Sequence, residues 1–60
     1  NRQAYGARRA VLIRHGYNER VIVDQFRYKP ADVRKLFKGD LDPTRAKEMT
    51  AEMREAGLPI

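Results

Sequence analysis

The fold is decided by residues 18–39, whose sequence is NERVIVDQFRYKPADVRKLFKG. Asn18 is a suitable N-cap, and Glu19 in the first turn complements the helix dipole, so a helix is predicted to begin here. Lys29 ends that helix, because the residue before a proline is pushed out of the α region. Pro30 suits the first turn of a new helix, since its missing N–H would have no partner there. The stretch therefore predicts two short helices joined by a tight turn.

The second of these helices is predicted over residues 31–38, with Gly39 closing it. Three apolar residues at helical spacing mark its buried side: Val33, Leu36 and Phe37. The run Val-Ile-Val at residues 21–23 also fits a β-strand by propensity, and that alternative stays open. The helix is preferred for this run, because the N-cap Asn18, the polar pair Asp24-Gln25 after the run and the following helix form a consistent set.

Two further helices are predicted around this stretch. The first covers residues 7–15, ends at Gly16, and takes its apolar contacts from Ala10, Val11 and Ile13. Residues 1–6 precede it and are expected to form an N-terminal arm.

The last helix is predicted over residues 42–57, with Asp42 as its N-cap and Pro43 at its first position. An amphipathic stripe runs along it, formed by Ala46, Met49, Met53 and Ala56. Gly57 ends the helix, and Leu58 is expected to fold back onto it. The predicted fold class is therefore all-α: a small tri-helical core plus a fourth, C-terminal amphipathic helix. A hydrophobic core shared by these helices is expected at eight positions: Val21, Ile22, Phe26, Val33, Leu36, Phe37, Met49 and Met53.

The length and composition indicate a single domain over residues 1–60. A chain this short buries only ~60% of the surface that its unfolded form exposes, so its core is small. It contains no cysteine, which excludes a disulfide framework and a cysteine-based zinc site. No apolar run approaches ~20 residues, so no membrane span and no membrane partner are expected. The first residue is Asn1 rather than Met, which favours a piece of a longer protein.

The net charge of +5 is concentrated in the first two thirds of the chain. Residues 1–38 contain ten basic and three acidic residues, a net +7, whereas residues 39–60 have a net −2. Such a basic segment favours a polyanionic partner. A cytoplasmic, nucleoid-associated location follows as an expectation.

Residues 21–39 resemble the helix-turn-helix of bacterial and phage repressors and of recombinase DNA-binding domains. The resemblance rests on apolar residues in the first helix, Ile22 and Phe26, on Val33 early in the second helix and on Leu36 one turn later. The sequence departs from the family pattern at two positions. Val23 stands where the family usually has alanine, and Arg27 stands where it usually has glycine in the turn.

The resemblance implies that the second helix lies in the DNA major groove, with its N-terminal part against base edges. The residues that it predicts for DNA binding are Asn18, Arg20, Tyr28, Lys29, Ala31, Asp32, Arg34, Lys35 and Lys38. Arg34 suits a bidentate contact with guanine, Lys35 suits it less well, and Ala31 suits a thymine methyl. Asn18 and Arg20 suit phosphates.

Two of these residues also have a structural use. Tyr28 fits a phosphate contact and the core about equally well. Asp32 fits a cytosine contact, but favouring the N-terminus of its own helix is the more common use of such a residue.

The function implied is sequence-specific binding of double-stranded DNA by a transcriptional regulator. The apolar stripe of the last helix makes that helix the candidate for homodimerisation. Two alternatives remain: a DNA-binding module of a recombinase, transposase or partition protein, and a protein–protein adaptor such as an antirepressor.

No enzyme, metal or cofactor is predicted. His15 has no cysteine or clustered carboxylate near it in the sequence, and Asp40 and Asp42 are explained as turn and cap residues. No phosphate-binding loop and no nucleophile–base pair is recognisable.

Overall fold

The computed structural model describes the backbone of residues 2–60 and the side chains of residues 6–60. Over this part of the chain it contains four α-helices and no strand. They are α1 (Arg2–Arg14), α2 (Glu19–Phe26), α3 (Pro30–Lys38) and α4 (Pro43–Glu55). The prediction of an all-α fold is confirmed. The strand alternative for residues 21–23 is wrong, since all three lie within α2.

The helix α1 is longer than predicted. It begins at Arg2, so residues 2–6 form its first turns and are not an arm; Asn1 lies outside the described residues. Arginine, glutamine and alanine at residues 2–4 are strong helix formers, and a single glycine at residue 6 costs only about 1 kcal/mol. A helix therefore continues through this segment.

The buried side of α1 also differs from the prediction. Leu12 is fully buried, whereas Ala10 and Ile13 are exposed and Val11 is half-buried. The reason is tertiary: α1 packs against α3, and the row of α1 that faces the core is the one that contains Leu12. Residue spacing within α1 alone did not reveal this row.

The helix α3 is central to the packing, because both α1 and α2 pack against it. The hydrophobic core comprises ten residues: Leu12, Ile22, Tyr28, Val33, Leu36, Phe37, Ala46, Met49, Met53 and Leu58. Most of the core residues predicted from the sequence are buried. Val21 and Phe26 are the exceptions and lie half-buried at the margin.

The C-terminal end of α4 is closed as predicted. Gly57 has a φ of 93°, and its N–H donates to the carbonyl of Arg54 at 3.0 Å. The N–H of Leu58 donates to the carbonyl of Met53, also at 3.0 Å, which completes a Schellman motif. The motif turns the chain back, and the Leu58 side chain is only 4% exposed.

The apolar stripe of α4 is used inside the domain. Ala46, Met49 and Met53 are buried in the core, and only Ala56 remains exposed. Thr50 shares this buried side, and its hydroxyl donates to the carbonyl of Ala46 at 2.9 Å. The homodimer predicted through the C-terminal helix therefore loses its physical basis, because the stripe is covered by the protein's own core.

The docking of Leu58 predicts that the last residues contribute to stability. Replacing Leu58 by alanine should lower the free energy of unfolding by about 2 kcal/mol or more, since it leaves a cavity in the core. Urea unfolding followed by circular dichroism measures this loss. The exposed neighbour Pro59 is the matched position: Pro59→Ala should change the stability by less than about 0.5 kcal/mol. Equal stability of Leu58→Ala and the wild type would contradict the docking.

Candidate nucleic-acid interface

The outward side of α3 is set by its buried side. Val33, Leu36 and Phe37 are turned into the core, so the residues on the opposite side of the helix face solvent. We call this side the outward stripe of α3; it consists of Ala31, Arg34, Lys35 and Lys38, all of them exposed. Their spacing of three, four and seven residues aligns them along the helix. The stripe contains three cations and no acidic residue.

Two predicted residues flank the outward stripe. Lys29 is exposed and is the N-cap residue of α3, although its side chain makes no capping hydrogen bond. Asp32 is half-buried in the first turn, rotated by about 100° from its neighbours in the sequence and thus beside the stripe rather than on it. Its negative charge at this end complements the helix dipole. The position of Asp32 therefore favours an interaction with the dipole of its own helix over a contact with cytosine.

The N-terminus of α2 presents Asn18 and Arg20, both of which are exposed. The side-chain oxygen of Asn18 accepts from the N–H of Val21 at 2.9 Å, so the predicted N-cap is present. The side-chain NH₂ of Asn18 is not part of this bond. An ion pair between Arg9 of α1 and Glu19, at 3.4 Å between Nε and Oε1, links this end of α2 to α1.

The turn between α2 and α3 is tight, although Arg27 replaces the glycine of the family pattern. Arg27 adopts φ 59° and ψ 34°, the left-handed conformation that glycine would provide. Its N–H donates to the carbonyl of Val23 at 2.7 Å and ends α2. Val23 itself is half-buried against the core, so the larger residue at this family alanine position is accommodated at the core margin.

Tyr28 belongs to the core and not to the outer surface. Its side chain is 8% exposed, and its ring stacks on Phe26 with centroids 5.3 Å apart and planes at 7°. Its hydroxyl donates to the Oε1 of Glu52 in α4. The guanidinium of Arg45, also in α4, lies 5.5 Å from the ring centroid. The prediction of a phosphate contact for Tyr28 is corrected, because its hydroxyl is already committed to a carboxylate.

Burial raises the pKa of Tyr28, and the hydrogen bond and negative charge of Glu52 raise it further, while Arg45 opposes the shift. The Tyr28 hydroxyl therefore stays protonated at pH values well above those at which an unperturbed tyrosine ionises. It acts as a hydrogen-bond donor that ties the turn to α4.

The structure thus brings the remaining predicted residues onto α2, the turn and α3. Asn18, Arg20, Lys29 and the outward stripe are exposed, and Asp32 is half-buried among them. No pocket is present in the described part of the chain, and residues 6–60 form no group of acidic or histidine side chains that could hold a metal. His15 is engaged locally, with its Nδ1 2.9 Å from the carbonyl oxygen of Val11.

The chain matches no protein-family model, no curated protein and no solved structure. Within residues 2–60 no helix has the length and apolar character needed to cross a bilayer.

The N-cap geometry of Asn18 generates a stability prediction. Asn18→Ala should lower the free energy of unfolding by about 1 kcal/mol, because the N–H of Val21 loses its acceptor. Asn18→Asp should retain the stability, since aspartate caps equally well. Chemical denaturation of the two variants tests this, and equal losses in both would contradict a capping role.

The contacts of Tyr28 generate a second stability prediction. Tyr28→Phe keeps the ring but removes the hydroxyl, and it should cost about 1 kcal/mol, a fall of about 4–8 °C in Tm. Tyr17 is the matched control, because it is half-buried and its hydroxyl makes no hydrogen bond within residues 6–60. Tyr17→Phe should leave Tm within about 2 °C of the wild type.

The raised pKa of Tyr28 also predicts a pH dependence. The pKa in the folded state exceeds the value of about 10 in the unfolded chain, so the stabilisation is complete below pH 10 and is lost as the pH rises above it. Unfolding curves between pH 9 and pH 11.5 should show a steeper loss of stability for the wild type than for Tyr28→Phe. Parallel losses would show that Tyr28 ionises equally in both states.

Proposed function

We propose that this protein is a sequence-specific binding domain for double-stranded DNA and acts as a transcriptional regulator. The observation that carries the proposal is the outward stripe of α3. It presents three cations and one small residue on a single helix side, next to a tight turn and a second helix. A helix of this kind, with one side in the core and a basic side facing solvent, has the shape and charge that the major groove accepts.

The charge distribution supports the same partner. Residues 1–38 have a net charge of +7, and this segment includes α2, the turn and α3. Cations that neutralise phosphates release condensed counterions, which makes such binding strongly dependent on salt. The outward stripe itself contains no acidic side chain; the nearest carboxylate in α3 is that of Asp32, which lies half-buried beside it.

The position of each exposed residue gives it a role. Ala31, near the N-terminus of α3, is small enough to let the helix approach base edges and to contact a thymine methyl. Arg34 has the planar donor pair that recognises guanine, and Lys35 offers a single ammonium. Lys38, exposed at the C-terminal end of the helix, suits a phosphate contact. Asn18 and Arg20 begin α2, the helix that crosses the DNA backbone in this arrangement.

An anisotropy titration with labelled duplex DNA tests the proposal. Wild-type protein should bind a pool of random duplexes with an affinity that falls steeply between 50 and 200 mM salt, and selection from the pool should yield a preferred sequence. The double variant Arg34→Ala/Lys35→Ala should reduce affinity for the selected sequence at least 10-fold.

Lys47 provides the matched control, because it is an exposed lysine on α4 and lies outside the proposed interface. Lys47→Ala should bind within about 2-fold of the wild type. If wild-type protein does not bind DNA even at 20 mM salt, the proposal is wrong. If Lys47→Ala weakens binding as much as the double variant, binding reflects overall charge and not the outward stripe.

A further inference from the structure

We propose that Arg27, in the turn between α2 and α3, binds a phosphate of the DNA backbone. The inference rests on the proposed function and adds a contact that the helix-turn-helix pattern does not contain, since that pattern has glycine at this position. It makes the turn itself part of the interface.

The residue with positive φ that follows α2 differs in type from those that follow the other three helices. The helices α1, α3 and α4 are each followed by a glycine with positive φ, namely Gly16, Gly39 and Gly57. The helix α2 is followed by Arg27, the one non-glycine residue with positive φ in the described part of the chain. A side chain in this conformation is strained relative to glycine. Of the four described helix ends, the end of α2 is the one that carries this strain, and it lies inside the proposed interface.

The left-handed conformation at this position is imposed by the fold. The N–H of Arg27 closes α2 on the carbonyl of Val23, and the next residue must turn inward to stack on Phe26 and reach Glu52. Any residue between these two constraints has to adopt the same backbone angles. Glycine would do so with less strain, so the fold gives no reason for an arginine.

Within the described part of the chain, no polar or ring contact of the Arg27 side chain compensates for the strain. The side chain is exposed, and no residue of the described part of the chain forms a hydrogen bond, ion pair or ring contact with it. Its charge near the C-terminus of α2 is favourable for the helix dipole, but an exposed charge there contributes little and is screened by salt. The guanidinium is thus available to an external anion.

The position of Arg27 matches a phosphate rather than a base. It lies between the two helices, two residues before Lys29, and it follows α2, the helix expected to cross the backbone. Arg20, another exposed arginine, lies seven residues earlier, in the first turn of α2. Asp24 lies between these two arginines in the sequence, is exposed, and is the carboxylate that a bound phosphate has to avoid. A guanidinium binds a phosphate through two parallel N–H donors, which suits a backbone contact at this end of the helix.

The experiment compares Arg27→Gly, Arg27→Lys and Lys47→Ala, using the full chain. For each, Tm is measured first, and then the affinity for duplex DNA across a salt series. Arg27→Gly should have a Tm no lower than the wild type, because strain is relieved. It should nevertheless bind DNA about 5–10-fold more weakly at 0.1 M salt, with a salt slope reduced by about 1. Arg27→Lys keeps both the strain and the charge, and it should retain the wild-type slope.

Opposite effects on stability and binding are the expected result, because a residue with a purely structural role would change both in the same direction. Wild-type affinity and slope in Arg27→Gly would overturn the inference and leave the proposed function intact. A slope for Arg27→Lys as low as that of Arg27→Gly would also overturn it, since charge would then not be the cause. Failure of the wild type to bind DNA would overturn both.

Discussion

The rest of the structure depends on the way Tyr28 is held. Its ring lies on Phe26 at the end of α2, and its hydroxyl binds Glu52 in α4. These contacts fix the chain immediately before α3 begins, and so they determine how α3 leaves the turn. Burial of Val33, Leu36 and Phe37 sets which side of α3 faces outward, and the contacts of Tyr28 fix the turn that leads into the helix. The helix α4 has no part in the proposed interface. It nevertheless supports the geometry of α2 and α3, the two helices that form the interface.

How much of this was predictable depends on the range of the interactions. Asn18, Pro30 and the Asp42-Pro43 pair act within one turn of the chain, and the starts of α2, α3 and α4 lie within a residue of the positions that they predict. The ends marked by Gly39 and Gly57 follow for the same reason. The start of α1 was missed because the prediction placed this helix by its apolar residues, whereas the helix propensity of residues 2–4 extends it further. The identity of the buried row in α1 was missed because that row is selected by contact with α3.

The same distinction between short-range and long-range interactions applies to the candidate site. The outward stripe was predictable, since three apolar residues on one side of a short helix leave only one side for the others. The place of Tyr28 was not, because its partner Glu52 is 24 residues away and no local pattern pairs a tyrosine with that carboxylate. The stripe on α4 was also ambiguous: an apolar row fits a core and a dimer surface equally well. In a chain of 60 residues the core requires it.

The two methionines of α4 have a consequence for the chemistry of the folded chain. Met49 and Met53 are both at 0% exposure, so oxidants reach their sulfurs only when the domain opens. Conversion to the sulfoxide places an additional polar oxygen in the core and opposes reclosing. The rate of methionine oxidation therefore follows the opening of the domain, and each oxidised molecule is withdrawn from the native population. The lifetime of the protein under oxidative stress is thus linked to its conformational stability through these two side chains.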